Sequence, residues 1–209
     1  NPKADPPYTG ISLIVVEDGT PGFKRGKKLT KVGMKSQDTA EMFFDDCRVP
    51  VSNLLGEEGA GFKFLMQKLQ QERMVSAWAS QMSAEMALKY TLDFTRERKA
   101  FGRAISRFQA NSFRLAEMAT EVEIGRTFME ALTLDHIAKK DIVKKVSMAK
   151  YWIAEMANRV IAQGVQMHGG YGYMEDYPIA RLFRDARVQT IFAGTSEIMK
   201  LIIGRYMEL

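Results

Sequence analysis

The sequence predicts a mainly α protein, in which a partial antiparallel β region precedes an antiparallel up-and-down bundle of the four-helix type. Three observations lead there. The first 50 or so residues carry short β-forming runs bounded by turn residues. After Gly61, no proline or glycine interrupts a helix-compatible run of Met, Gln, Glu, Ala, Leu and Lys until about Glu97. Two later segments repeat buried-type residues at alternating steps of three and four, the seam of packed antiparallel helices.

In chain order, residues 11–16 form a β-rich run between Gly10 and the Asp18-Gly19 turn signal. Residues 40–44 read as a second strand continuing toward Val49-Pro50, and residues 29–34 as a third. Three such strands bury little and leave open edges, so they belong to a sheet whose other strands lie outside this sequence. The uninterrupted run after Gly61 predicts one helix about 55 Å long at ~1.5 Å per residue. The next helix carries its seam at Leu115, Met118, Val122, Gly125, Met129, Leu132 and His136. A third carries Val146, Ala149, Ile153, Met156, Val160, Gln163 and Met167, and ends at the glycines after His168. A short helix starts near Pro178, and a last one is capped by Thr195 or Ser196.

Composition narrows the function classes. With 46% hydrophobic and 26% charged residues and a mean hydropathy of −0.21, the chain can bury a sizeable core and is neither disordered nor collagenous. No apolar run approaches the ~18 residues that a membrane span needs. A single cysteine, Cys47, excludes an intrachain disulfide and a Cys-based zinc site, and fits a reducing compartment. The net charge of +5 comes from 30 basic and 25 acidic residues that alternate along the chain, which argues against nucleic acid. The exception is residues 96–107, where Arg96, Arg98, Lys99, Arg103 and Arg107 face one Glu97, a cluster suited to phosphates. The chain opens on Asn1-Pro2-Lys3 and runs at once into strand-like sequence, as a piece of a longer polypeptide would.

Few residues are typed for chemistry. His136 and His168 lack partners at metal-ligand spacing, and Cys47 reads as a buried structural thiol at a strand end. Gly169-Gly170-Tyr171-Gly172 follows a helix and lacks dinucleotide-fold spacing. Gly194-Thr195-Ser196 opens a helix, where free N–H groups suit an anion or a carbonyl oxygen as well as an ordinary cap. Glu72, before Arg73 and among Leu69, Met74, Val75 and Trp78, suits either a proton-abstracting base or a solvated surface pair.

The motifs add a family. Gln166-Met167-His168-Gly169-Gly170-Tyr171-Gly172-Tyr173, followed by Asp176, Arg181 and Asp185, resembles the C-terminal pattern of the acyl-CoA dehydrogenases. Gly33 to Pro50 resembles the end of their middle β-domain, and Arg98-Lys99-Ala100-Phe101-Gly102 with Phe108-Gln109 their flavin-contacting segment. The resemblance covers essentially the whole chain. It implies that residues 1–55 are the C-terminal part of a middle β-domain and that residues 56–209 are the helical-bundle domain. It implies FAD as cofactor and α,β-dehydrogenation of an acyl-CoA thioester in fatty-acid or branched-chain β-oxidation. A carboxylate takes the α proton, while donors stabilise the enolate charge that develops on the thioester oxygen.

Short- and medium-chain members carry that carboxylate just before the Gly-Thr of the last helix, where this sequence has Ala193. In long-chain and isovaleryl-type members a glutamate directly before an arginine on the first long helix takes its place, and Glu72-Arg73 resembles that arrangement. The resemblance therefore implies Glu72 as catalytic base. It implies cofactor contacts from Arg98, Ala100, Phe101, Gln109, Gln166, Gly169, Gly170, Thr195, Ser196 and Glu197. Substrate contacts are implied for Gln70, Arg73, Ala193 and Gly194. The implied partners are an electron-transferring flavoprotein and further copies of the chain, as a dimer of dimers. Localisation would be cytoplasmic in a bacterium and the mitochondrial matrix in a eukaryote. Two alternatives keep the fold: an acyl-CoA oxidase-like flavoenzyme that passes electrons to oxygen, and a catalytically dead assembly module, for which Ala193 is the argument.

Overall fold

A computed structural model describes all 209 residues. They form two compact units, Asn1–Leu69 and Gln70–Leu209. In the first unit, β1 (Leu13–Ile14) pairs antiparallel with β4 (Leu54–Leu55), with Leu13 opposite Leu55. The pairing is extended by Val15 N–H donating to the Asn53 carbonyl at 2.9 Å and by the Asn53 side-chain Nδ2 donating to Val15 O at 2.9 Å. Longer β2 (Phe23–Lys28) pairs antiparallel with β3 (Ala40–Phe44), with Phe23 opposite Phe44. Every β3 residue is exposed, so this ribbon alone buries neither face.

The strand expected at residues 29–34 lies earlier, at Phe23–Lys28. Its sequence, Phe-Lys-Arg-Gly-Lys-Lys, has almost no apolar alternation to announce it, because neither face is covered here. Leu29 adds one last ladder bond, to Thr39 O at 2.8 Å, before the chain turns through Met34 at φ +52°. Cys47 lies beyond β3, outside any strand, and is half-buried rather than buried.

The second unit is helical. The long helix α1 (Gly61–Glu97) reaches it from the first unit and is followed by a hairpin of β5 (Lys99–Ala100) and β6 (Arg103–Ala104). Then come α2 (Gln109–Ile137), α3 (Val143–His168), α4 (Pro178–Ala186) and α5 (Ser196–Arg205). The α2 seam is buried from Leu115 to Leu132, and the α3 seam from Val146 to Val160. Their last members, His136, Gln163 and Met167, are half-buried.

What α1 presents to the core is different in kind: Met74, Ala77, Ser80, Gln81, Ala84, Ala87, Thr91 and Thr95 are buried. Small residues let the helix axes approach, and the hydroxyls satisfy themselves on their own helix. Ser80 donates to Ser76 O at 3.0 Å, Thr91 to Ala87 O at 2.7 Å and Thr95 to Thr91 O at 2.7 Å. Close approach recurs where α4 meets α3, since a Cβ on Gly164 would lie 2.9 Å from Ile179 Cδ1.

Candidate functional site

The second unit brings most of the sequence-predicted residues together in two places. The first is a cavity of about 670 Å³ where the end of α1 meets the end of α3. Arg98, Gln166, Gly169 and Gly170 line it, along with Phe94, Ile105, Asn111, His168, Tyr171 and Met174. Arg98 follows the last turn of α1 and is tethered by its backbone, its N–H donating to Phe94 O at 2.8 Å and its carbonyl accepting from Ile105 at 2.8 Å. Its guanidinium lies 5.5 Å from the Tyr171 ring centre and has no carboxylate partner. Gly169 ends α3 at φ +61°, and open space stands where Cβ atoms of Gly169 and Gly170 would be, so bare backbone faces the cavity.

His168 is a lining residue that sequence reasoning set aside. It is buried, stacked on Phe94 at 4.3 Å, and its Nδ1–H donates to Gly164 O at 2.7 Å. Burial pushes its pKa down against that bond, so the ring is neutral and its Nδ1 is committed. Ala100, Phe101 and Gln109 do not line the cavity. Ala100 and Phe101 belong to the β5–β6 hairpin, with Phe101 at its tip and 96% exposed, and Gln109 is the exposed first residue of α2.

The second place is the two-residue turn before α5. Ala193 and Gly194 both have positive φ, +53° and +101°. A Cβ at Gly194 would sit 2.6 Å from Met199 Cε, the movable end of a side chain, so it is the backbone at φ +101° that calls for glycine there. The turn feeds α5 through Thr195, whose hydroxyl oxygen accepts from the Ile198 N–H at 3.3 Å. Ser196 is buried, and its Oγ has no partner. The Glu197 carboxyl is held below the ordinary range by its own backbone N–H and the Thr195 hydroxyl.

Two buried cations converge on this turn. Arg73, 5% exposed, directs Nε to the Ala193 carbonyl at 3.4 Å and Nη1 to Gln70 Oε1 at 3.4 Å. Lys150, fully buried on α3, donates from Nζ to the Gly194 carbonyl at 2.5 Å. Burial lowers the pKa of Arg73, opposed by neighbouring Glu72, and a guanidinium so far from neutrality stays charged. Burial and the charge of Arg73 push Lys150 down to about 8, against the pull of Glu197. With both carbonyls occupied, the Ala193 and Gly194 amides donate to no backbone oxygen. Gln70, Arg73, Ala193 and Gly194 are thus one cluster. Glu72 is exposed on α1, ~100° around the helix from Arg73. Sequence reasoning assigned no role to Lys150, because it sits one step past the seam residue Ala149, where periodicity reads a solvated flank.

Residues 59–208 match the family model described as acyl-CoA dehydrogenase, C-terminal domain. The chain belongs to the acyl-CoA dehydrogenase family. It is 48% identical over 205 residues to the mitochondrial long-chain specific acyl-CoA dehydrogenase of Rattus norvegicus, covering 98% of this chain and 48% of the rat protein. The chain spans about half the length of the curated relatives it matches. Among solved structures, an acyl-CoA dehydrogenase from Geobacillus kaustophilus superposes with a TM-score of 0.98 at 58% identity, over all of this chain and 55% of that one. A more distant structure of the same fold, PigA with FAD and proline, has a TM-score of 0.94 at 27% identity and covers 99% of this chain and 54% of its own. The five-helix arrangement and its short antiparallel strands are therefore those of this family.

Proposed function

We propose that the protein carries out FAD-dependent α,β-dehydrogenation of an acyl-CoA thioester to the trans-2-enoyl-CoA. The observation that carries this reading is the Ala193–Gly194 turn, whose carbonyls are tied back by Arg73 and Lys150 while its amides lack acceptors. Free amides on a rigid turn are suited to a thioester oxygen on which negative charge develops. Ala193 offers no carboxylate, so the base comes from elsewhere. Glu72, beside Arg73 of the same cluster, takes the α proton in this proposal. The small Ala193 side chain leaves room for that approach.

The residues of the cavity fit a flavin dinucleotide. Arg98 is a cation without a carboxylate partner, suited to a pyrophosphate. The bare backbone at Gly169 and Gly170 admits close approach, and Gln166 adds an amide at the same wall. The orphaned Ser196 Oγ and the Thr195 hydroxyl at the start of α5 are further polar groups for the same cofactor. FAD, when bound, supplies a two-electron acceptor for the β hydrogen. The chain's own residues hold it, orient the thioester and move the α proton. An electron-transferring flavoprotein is the proposed electron partner. Exposed apolar residues on the bundle, among them Phe113, Ile124 and Leu134 on α2, support assembly with further copies. No helix is long and apolar enough to cross a membrane.

The test is anaerobic mixing of the complete FAD-loaded protein with acyl-CoAs of several lengths and branchings. Flavin bleaching by at least one is expected. Glu72→Gln should retain FAD and bind substrate yet slow bleaching by several orders of magnitude, because an amide cannot accept the proton. Unchanged bleaching in Glu72→Gln refutes the base assignment. The second reading, a dead assembly module, is favoured by Ala193 alone and requires that no acyl-CoA bleach the wild type.

A further inference from the structure

Lys150 has no task in the proposed reaction. It is one of the largest fully buried side chains in the protein, and no carboxylate forms an ion pair with it. A lone buried cation is destabilising compared with an apolar side chain of similar volume, so packing does not explain it. Its single hydrogen bond does. Lys150 from α3 and Arg73 from α1 take consecutive carbonyls of one left-handed turn. A peptide unit is planar and trans, so its carbonyl and the following N–H point opposite ways. Holding the Ala193 carbonyl therefore aims the Gly194 amide, and holding the Gly194 carbonyl aims the Thr195 amide. Two fixed peptide planes in succession leave the turn one arrangement. Non-glycine backbone at φ +53° needs such support, since an alanine is otherwise more stable in other conformations.

We propose that Lys150 is a positioning residue: while Arg73 aims the Gly194 amide, the Lys150 ammonium fixes the next peptide plane, and together they lock Gly194 so that the turn keeps the shape that offers its amide to the thioester oxygen of acyl-CoA. This rests on the dehydrogenase reading above and adds to it the device that holds the oxygen-binding turn in shape. The charged groups acting on Lys150 are Arg73 from α1, which disfavours its cation, and Glu197 from α5, which favours it. With burial, they bring it to about 8. The clamp is thus charged at neutral pH and loses its charge on the alkaline side.

The experiment uses the complete FAD-loaded protein and an acyl-CoA isotope-labelled at the thioester carbonyl. Infrared difference spectra report how strongly the bound carbonyl is polarised, and anaerobic rapid mixing reports flavin reduction from neutral to alkaline pH. In the wild type the carbonyl stretch should shift down on binding, and reduction should fall away on an alkaline limb near the Lys150 pKa of about 8. Lys150→Met should keep FAD and substrate affinity, lose most of the shift, and slow reduction roughly ten- to a hundredfold, below the full loss of an oxyanion donor. Its alkaline limb should disappear. If Lys150→Met does not fold, Glu197→Gln carries the test, since removing the carboxylate that favours the ammonium should move the limb to lower pH. A Lys150→Met protein with the wild-type shift and limb, or a Glu197→Gln limb that stays in place, overturns the positioning role alone. A wild type that no acyl-CoA bleaches overturns the dehydrogenase reading, and the positioning role with it.

Discussion

Phe101 sits where its chemistry is least at home, and replacing it with asparagine separates stability from cofactor retention. It forms the tip of the β5–β6 hairpin with Gly102, at φ +52° and +81°. A two-residue hairpin with both central φ positive takes Asn-Gly by preference. A bulky residue in the left-handed region costs about 1–2 kcal/mol, most of which asparagine recovers. The ring gives little back within the chain, being 96% exposed and meeting only the edge of Phe108 at 6.2 Å. Such an edge contact contributes about 0.5–1.5 kcal/mol. The two effects nearly cancel, so Phe101→Asn should leave stability within about 1 kcal/mol of the wild type, a melting shift of no more than ~4 °C at this size. Binding should respond differently. If the ring is held strained and exposed so that it can be covered by FAD or by a neighbouring copy holding FAD, its loss forfeits the burial of an aromatic side chain. That burial is about 1.5–3 kcal/mol, or roughly ten- to a hundredfold in dissociation constant. The assay is flavin content and FAD titration beside a thermal melt of the FAD-free protein. Unchanged FAD affinity would overturn a cofactor-holding role for the ring, because the strain would then have no beneficiary.

Two further outcomes follow from packing and charge. Gly125→Ala gains up to ~1 kcal/mol of helix propensity. Its Cβ, however, would lie 2.3 Å from Oε1 of fully buried Gln81, whose Nε2 donates to Val122 O and Glu85 Oε1, each at 2.9 Å. Displacing that amide forfeits two bonds of about 1 kcal/mol each, so a net loss of ~1 kcal/mol is expected; a higher denaturation midpoint would contradict it. Asp135 joins the end of α2 to Lys140 at 2.8 Å and to Lys145, and these two bonds hold its carboxyl down to about 2. A lowered folded-state pKa means that its contribution is present above the unfolded value, near ~4, and is lost as pH falls toward 2. Denaturation across that window should show a shallower pH slope for Asp135→Asn than for the wild type, and equal slopes would remove Asp135 from the account.

How much of this was legible beforehand depends on whether a residue's task is periodic. The α2 and α3 seams, the helix start at Pro178 and the cap at Thr195 were readable because burial in an antiparallel pair imposes steps of three and four, and helix starts favour a proline in the first turn or a capping hydroxyl. The buried stripe of α1 was not, since it consists largely of alanine and hydroxyl residues whose polarity is cancelled by bonds to their own helix. Strand β2 was misplaced for the converse reason: with no covered face, nothing selects an apolar alternation. At the site, Gln166, Gly169 and Gly170 stood out as a motif, and the cavity gathers them with Arg98. Lys150 lies in a segment, Ala149-Lys150-Tyr151-Trp152, that resembles the long-chain members, but the resemblance gives it no task. One position beyond a seam alanine, a lysine reads as a solvated flank, and its neighbours in sequence do not contradict that. Only when α5's leading turn is laid over α3 does a carbonyl stand 2.5 Å from its nitrogen, and a charge that should cost stability becomes the natural holder of a strained turn. A buried cation bonded to backbone rather than to a carboxylate is therefore the feature to look for in such a fold, because the arrangement is unfavourable unless the backbone it holds has work to do.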